Sequence, residues 1–264
     1  AIIAGDGDAI VETAAQSQHL ADALAAPIEI IPGAGHMIHY DAPERVARAI
    51  ERVADIADEA MRAVPAGTQL ARASAVIFDI DGTLVDSVDL HAQAWQEAFR
   101  HFGHEIDYGA IRSQIGKGGD QLMPVFLSQD ELREKGEALE NYRAALFKEK
   151  YLPRVTGFAA VRSLFERLRA DGKRIVLASS AKKDELEVYE AIADIVDLVD
   201  AEVSADDVDR SKPHPDVYES ALTKLGRIDA AQAIAIGDSP YDAEAAAKAG
   251  LETIGVRCGG FPET

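Results

Sequence analysis

The chain has 264 residues, of which 47% are hydrophobic and 28% charged, proportions that suit one large globular domain or two small ones and exclude a disordered or fibrous chain. Twenty-seven basic residues face 46 acidic ones, a net charge of −19 that repels nucleic acids and anionic membranes and argues against both as partners. The single cysteine, Cys258, excludes an intrachain disulfide and a CxxC metal knuckle, and no apolar run nears the ~20 residues of a membrane helix, so a cytoplasmic location is expected.

Short apolar runs alternate with longer helical patterns, which predicts a parallel sheet with helices on its faces. The first strands are predicted at Ile2–Ala4 and Ile28–Ile31, followed by a long amphipathic helix over Pro43–Met61. Val64–Ala73, with Pro65, Gly67 and Thr68, reads as a linker. A third strand is predicted at Ala75–Ile80. From Val88 to about Leu152 no strand is predicted; helices such as Leu90–Phe102 put Leu90, Trp95, Phe99 and Phe102 on one face, and Gly116, Gly118 and Gly119 make one glycine-rich turn. This stretch reads as a helical lid inserted into an α/β core, with Trp95 in the lid's own interior. Beyond it come a helix over Ala159–Asp171, strands at Arg174–Ala178, Leu198–Val203 and Ala233–Ile236, a helix over Ala243–Ala249 and a strand at Glu252–Val256. Gly172 and Gly250 each follow a helical stretch directly, as C-cap glycines do.

The third strand runs into Asp79-Ile80-Asp81-Gly82-Thr83-Leu84-Val85-Asp86-Ser87. The strand period places Asp79 and Asp81 on one side, at the carboxyl end where open α/β sheets bind ligands. Gly82 permits a tight turn, and Thr83 can cap it or bond to whatever binds there. Two close carboxylates stay ionised only if a cation or donors compensate them, and Mg²⁺, which takes oxygen ligands and phosphate, is suited to that role. The next apolar strand ends in Ser179-Ser180, hydroxyls fit for a phosphate oxygen; Ser211-Lys212-Pro213-His214-Pro215-Asp216 offers a lysine as a point charge; and Gly237-Asp238-Ser239-Pro240-Tyr241-Asp242 adds two acids at another strand end. Singly, each motif is equally an ordinary turn; chance explains the ordered set poorly.

These four motifs closely resemble those of the haloacid dehalogenase superfamily of phosphohydrolases, over about Ala73 to the C-terminus. The resemblance implies Asp79 as nucleophile and Asp81 as general acid/base, with Ser179, Ser180, Lys212, Gly82 and Thr83 around the phosphoryl group. It also implies Mg²⁺ held by Asp79, the Asp81 backbone carbonyl and Asp238, with Asp242 in support. To act as an acid Asp81 must be protonated, so its pKa is expected to be raised by its neighbours. The second aspartate argues for phosphate rather than halide chemistry. Ile115-Gly116-Lys117-Gly118-Gly119-Asp120-Gln121-Leu122-Met123 is similar to a loop of phosphoglycolate phosphatases. Lys117 there either binds a substrate carboxylate or is a solvated lid lysine, and sugar-phosphate phosphatases and phosphoglucomutase-like enzymes stay open.

The first sixty-odd residues resemble the C-terminal end of an α/β-hydrolase, with Asp8 and His36 at the acid and histidine positions, but no GxSxG nucleophile elbow occurs. The expected architecture is therefore α/β: an N-terminal βαβα segment (1–64), a linker (65–73), a Rossmann-like parallel-sheet core (74–87 and 153–264) and an inserted helical cap (88–152). The expected activity is Mg²⁺-dependent hydrolysis of a small phosphorylated metabolite. The alternatives are a piece of an esterase or epoxide hydrolase fusion, and a non-catalytic binding protein of the same fold.

Overall fold

The computed structural model describes residues 2–5, 28–31, 44, 69–226 and 228–261. The chain forms two compact units, Ala1–Thr68 and Gln69–Thr264. In the first, β1 (Ile2–Gly5) pairs in parallel with β2 (Ile28–Ile31). The predicted helix over Pro43–Met61 apart from helical Glu44, most of the linker, and the candidates Asp8 and His36 lie outside the described residues. The end of the expected linker is ordered: Gln69–Arg72 makes one helical turn, Leu70 packs on the core and Ala73 is buried in it.

The second unit is built on a five-stranded parallel sheet of order β7-β6-β3-β8-β9, comprising β3 (Ala75–Phe78), β6 (Arg174–Ala178), β7 (Ala201–Val203), β8 (Ala233–Gly237) and β9 (Glu252–Gly255). Side chains alternate between its two faces. Val76, Phe78, Ile175, Leu177, Ile234 and Ile236 join one apolar cluster with Phe165 and Tyr189. Ala75, Ile77, Val176, Ala178, Ala233 and Ala235 join another with Tyr218 and Ala245. Both faces are covered, as in parallel sheets generally.

Among the described residues the strands and helices stand close to where the hydrophobic pattern put them, and three of the shifts have a local cause. The β3 strand ends at Phe78 rather than Ile80, because the amides of Thr83, Leu84 and Val85 all bond back to the Ile80 carbonyl and fold the chain into a turn. Leu198–Val203 is a strand only over Ala201–Val203: Leu198 closes a turn onto Ile195, and Asp200 bonds to Ile175 through its side chain. The last helix begins at Pro240 rather than Ala243, since Ser239 and Asp242 form a reciprocal capping box with proline at the first position. Gly172 and Gly250 do sit just past helix ends, at φ 73° and 78°.

A short antiparallel ribbon, β4 (Val85–Asp86) with β5 (Thr156–Gly157), brackets a helical stretch. That stretch includes α1 (Val88–His101), α2 (Tyr108–Arg112), α3 (Gly119–Phe126) and α4 (Glu137–Leu146), packed around Trp95, Phe99, Ile111, Leu122 and Leu139. The remaining helices are α5 (Val161–Ala170), α6 (Lys183–Ile192), α7 (Asp216–Lys224) and α8 (Pro240–Lys248). Among the described residues no helix is long and apolar enough to cross a membrane.

Candidate active site

Register assembles the site. Phe78 pairs with Leu177 on one side and Ile236 on the other, so Asp79, Ser179 and Asp238 all emerge at the same carboxyl edge. Lys212 reaches this edge from the loop between β7 and α7 and is fully buried. Its Nζ donates to Asp79 Oδ1 at 2.5 Å and to the Ala178 carbonyl at 2.7 Å, and pairs with Asp242 Oδ1 at 2.7 Å. Burial opposes the charge on Lys212, but Asp242 and Asp79 outweigh it, and the ammonium is held well above its usual pKa.

Asp242 lies in the first turn of α8, where its Oδ2 accepts from the Ser239 amide and hydroxyl and its Oδ1 accepts from Tyr218 at 3.1 Å. Asp238 is the opposite case. Both its carboxylate oxygens are buried with no hydrogen-bond partner, and a Cβ on either Gly82 or Gly259 would overlap the carboxylate. Burial and the carboxylates of Asp79 and Asp242 push Asp238 up to about 9. Burial and Asp242 likewise push Asp79 up to about 7, against the pull of Lys212.

One oxygen from each of Asp79, Asp238 and Asp242 lies within 4.8 Å of the others. Ionising all three carboxylates against one ammonium would leave two negative charges in a buried site, which is why Asp79 and Asp238 are pushed up; a divalent cation would neutralise them, and the oxygen-only donor set and the orphaned Asp238 suit Mg²⁺.

Asp81 departs from expectation in its pKa. Its carboxylate, for which no metal contact was expected, turns toward α1, where Oδ1 accepts from Ser87 Oγ at 2.6 Å and from His91 Nε2 at 2.9 Å. Burial favours the neutral acid, yet His91 and Ser87, with the charge of Arg143 behind them, hold its pKa below the usual value rather than above it.

The expected phosphate contacts divide. Thr83 donates its hydroxyl to Asp79 Oδ2 at 3.1 Å, and Gly82, at φ 80°, makes the turn that admits the Asp238 carboxylate; both serve the carboxylates rather than line the cleft. Ser180 lines the cleft with a buried hydroxyl that has no partner. Ser179 is fully buried, its oxygen accepting from the Ala181 amide, which leaves its proton free to donate.

Over this edge the helices close a cleft. The loop before α3 docks through its glycines: a Cβ at Gly116 would come 2.6 Å from Ser239 Oγ, and one at Gly118 would overlap Ser211. Asp120 Oδ2 accepts from the Ser211 amide at 3.1 Å, and Tyr241 donates to the Ser113 carbonyl at 2.6 Å. Lys117 lines the cleft, but its ammonium donates to Gln114 Oε1 at 2.6 Å and sits 4.6 Å from the Tyr241 ring centre.

Several cleft residues escaped the sequence reading. His91 also lies 3.0 Å from the Tyr189 hydroxyl, which donates to Glu185 at 2.7 Å, and its ring stacks on Phe147 at 4.0 Å. Arg143 donates to His91 Nδ1, so the ring keeps its proton on Nε2, facing Asp81. A signal existed. His91 falls on the buried stripe Val88, His91, Ala92, Trp95, Phe99, and Arg143 lies midway between buried Leu139 and Phe147 at four-residue steps, polar residues on apolar faces.

The profile of haloacid dehalogenase-like hydrolases matches residues 76–256. A protein named "Probable phosphatase IndB" from Dickeya dadantii is 32% identical over 187 residues, covering 70% of this chain and 81% of its own. Validoxylamine A 7'-phosphate phosphatase from Streptomyces hygroscopicus is 28% identical, over 68% of this chain and 84% of its own. The crystal structure of a hydrolase from Pseudomonas syringae superposes with a TM-score of 0.66 at 26% identity, over 72% of this chain and 87% of that one.

Proposed function

Because this chain belongs to the haloacid dehalogenase-like hydrolase family, and is a phosphatase within it, we propose that it hydrolyses a small phosphomonoester, phosphoglycolate or a sugar phosphate, with Mg²⁺ and through an aspartyl-phosphate on Asp79. The observation that carries this reading is the buried group of Asp79, Asp238 and Asp242 around Lys212, with the Asp238 carboxylate unpartnered.

Asp79, Asp238 and Asp242 are the residues that would hold Mg²⁺, which on binding supplies charge neutralisation for the phosphoryl oxygens. The Asp79 carboxylate attacks phosphorus, and the bond from phosphorus to the leaving oxygen breaks. Lys212 holds Asp79 in line and contributes positive charge beside the phosphoryl group. The hydroxyls of Ser180 and Ser179 are donors within reach of the same edge.

Asp81 has Oδ1 saturated by Ser87 and His91, so Oδ2 is the atom left to carry the proton to the leaving oxygen; because those donors hold Asp81 ionised in the free site, it must take up that proton with the substrate. In the second step the same oxygen takes a proton from the water that cleaves the acyl phosphate. In this reading residues 74–87 and 153–264 carry the chemistry, and the helices of 88–152 cover the leaving group.

The test is turnover of p-nitrophenyl phosphate by the full chain. Hydrolysis is expected with Mg²⁺, is expected to vanish in excess chelator, and is expected to be absent from Asp79→Asn. Activity that survived in Asp79→Asn would remove Asp79 as nucleophile.

A further inference from the structure

We propose that Arg143 is the specificity-determining residue of this cleft, and that it binds a second oxyanion, a carboxylate or a phosphate, on the leaving-group side of the substrate. The proposal rests on the phosphatase reading and narrows it to anionic rather than neutral phosphomonoesters.

Arg143 lines the cleft that holds Asp79 and Asp81. Its guanidinium carbon is 5.2 Å from the Trp95 ring centre and 5.1 Å from that of Phe147, so the plane of the fork is held by two aromatic rings. One terminal nitrogen donates to His91 Nδ1, and Nε is buried with no partner.

No carboxylate reaches Arg143 within ion-pair distance among the described residues, although the chain carries 46 acidic residues and Arg112, Arg162, Arg167, Arg169 and Arg210 each pair with at least one. Glu140, one turn earlier on α4, also lines the cleft without reaching it. A guanidinium held between two rings, lining the cleft and without a carboxylate partner, matches an external oxyanion, which would be met by the terminal nitrogens rather than by the buried Nε.

Position sets which part of the substrate it reads. Lys212 stands at the sheet edge beside Asp79, where the phosphoryl group is transferred. Arg143 stands two hydrogen bonds from Asp81, through His91, and Asp81 is the group that protonates the leaving oxygen. The other cleft cations are less suited: Lys117 donates to Gln114, Lys148 is paired with Asp184, and Lys182 is exposed, with no aromatic ring among the described residues to fix it as Trp95 and Phe147 fix Arg143.

The experiment measures kcat/KM of the full chain with Mg²⁺ for phosphoglycolate, ethylene glycol bisphosphate and 2-hydroxyethyl phosphate, with p-nitrophenyl phosphate as the generic substrate. At least one anionic substrate is expected to exceed neutral 2-hydroxyethyl phosphate by ~10-fold or more, and whichever does identifies the oxyanion. In Arg143→Gln that ratio is expected to fall to within about 3-fold, and Arg143→Lys is expected to recover part of it, a pattern that general loss of the lid's packing does not produce. Turnover of p-nitrophenyl phosphate with no preference for either anionic substrate overturns the proposal and leaves the phosphatase reading standing. So does a preference unchanged in Arg143→Gln. Failure to turn over all four substrates overturns both.

Discussion

At the carboxyl edge of the sheet, Asp79, Lys212 and Asp242 are buried, bonded to one another and braced by Thr83, Ser239 and Tyr218. Across the cleft, Asp81 is more exposed, and it is steadied through His91 by Arg143 and Tyr189, side chains from a lid helix and from α6. The first group is anchored by the strand end at Asp79 and by Asp242 in the capped first turn of α8, with Lys212 from the loop before α7 tying the two together. The second depends on how α1 and α4 settle on the core. One half of the site is pre-organised by the sheet; the other is completed only when the lid is in place.

Four measurements sharpen or break this contrast. The largest effect belongs to the sheet edge: Asp79→Asn should lower kcat by at least ~10⁴-fold with the fold intact, since no other carboxylate at that edge is placed to attack. Unfolding of that variant by circular dichroism would instead make Asp79 a structural residue.

Next is the wall behind Asp238. Gly259→Ala should weaken Mn²⁺ binding by roughly 10–100-fold in calorimetry, because the added Cβ overlaps the unpartnered carboxylate. Unchanged affinity would show that Asp238 does not hold metal in the position described.

On the lid side the loss should be smaller. His91→Gln should cost about 10-fold in kcat, as Asp81 loses one of two donors that orient it. Losing that donor should also move the alkaline limb of the kcat/KM profile upward, since His91 helps to hold the Asp81 pKa down. A fall in kcat without that shift would point to packing alone.

The smallest effect concerns stability. In metal-free protein Asp79 and Asp238 are raised to about 7 and about 9, so both favour the folded state while protonated and lose that contribution as pH rises through those values. Tm in chelator should therefore fall from about pH 4 to about pH 9, first through both groups and above about 7 through Asp238 alone, and Mg²⁺ should recover it at the alkaline end by ~2–4 °C per kcal/mol of binding linkage. A Tm that rose with pH in chelator would reverse the sign.

What the amino-acid sequence by itself determined was the sheet edge. Apolar runs such as Val76–Phe78 and Ile234–Ile236 can only be buried strands, and a strand's period with a polar residue just past its end decides which edge Asp79, Ser179 and Asp238 occupy. Local chemistry also announced Gly82, Gly172 and Gly250 at positive φ, but not the last helix start, which the Ser239–Asp242 capping box set at Pro240 rather than Ala243. Tertiary structure alone decided the rest. That Gly259 walls in Asp238, that Lys117 spends its ammonium on Gln114 and Tyr241, and that Arg143 meets His91 across 52 residues follow from tertiary packing: the C-terminal loop on the sheet edge, the lid loop on α8, and α4 on α1. A helical period tells which residues face inward but carries no information about which partner, 50 or 150 residues away, will face them; hence the pKa of Asp81, set by those partners, ran opposite to the expectation drawn from its role.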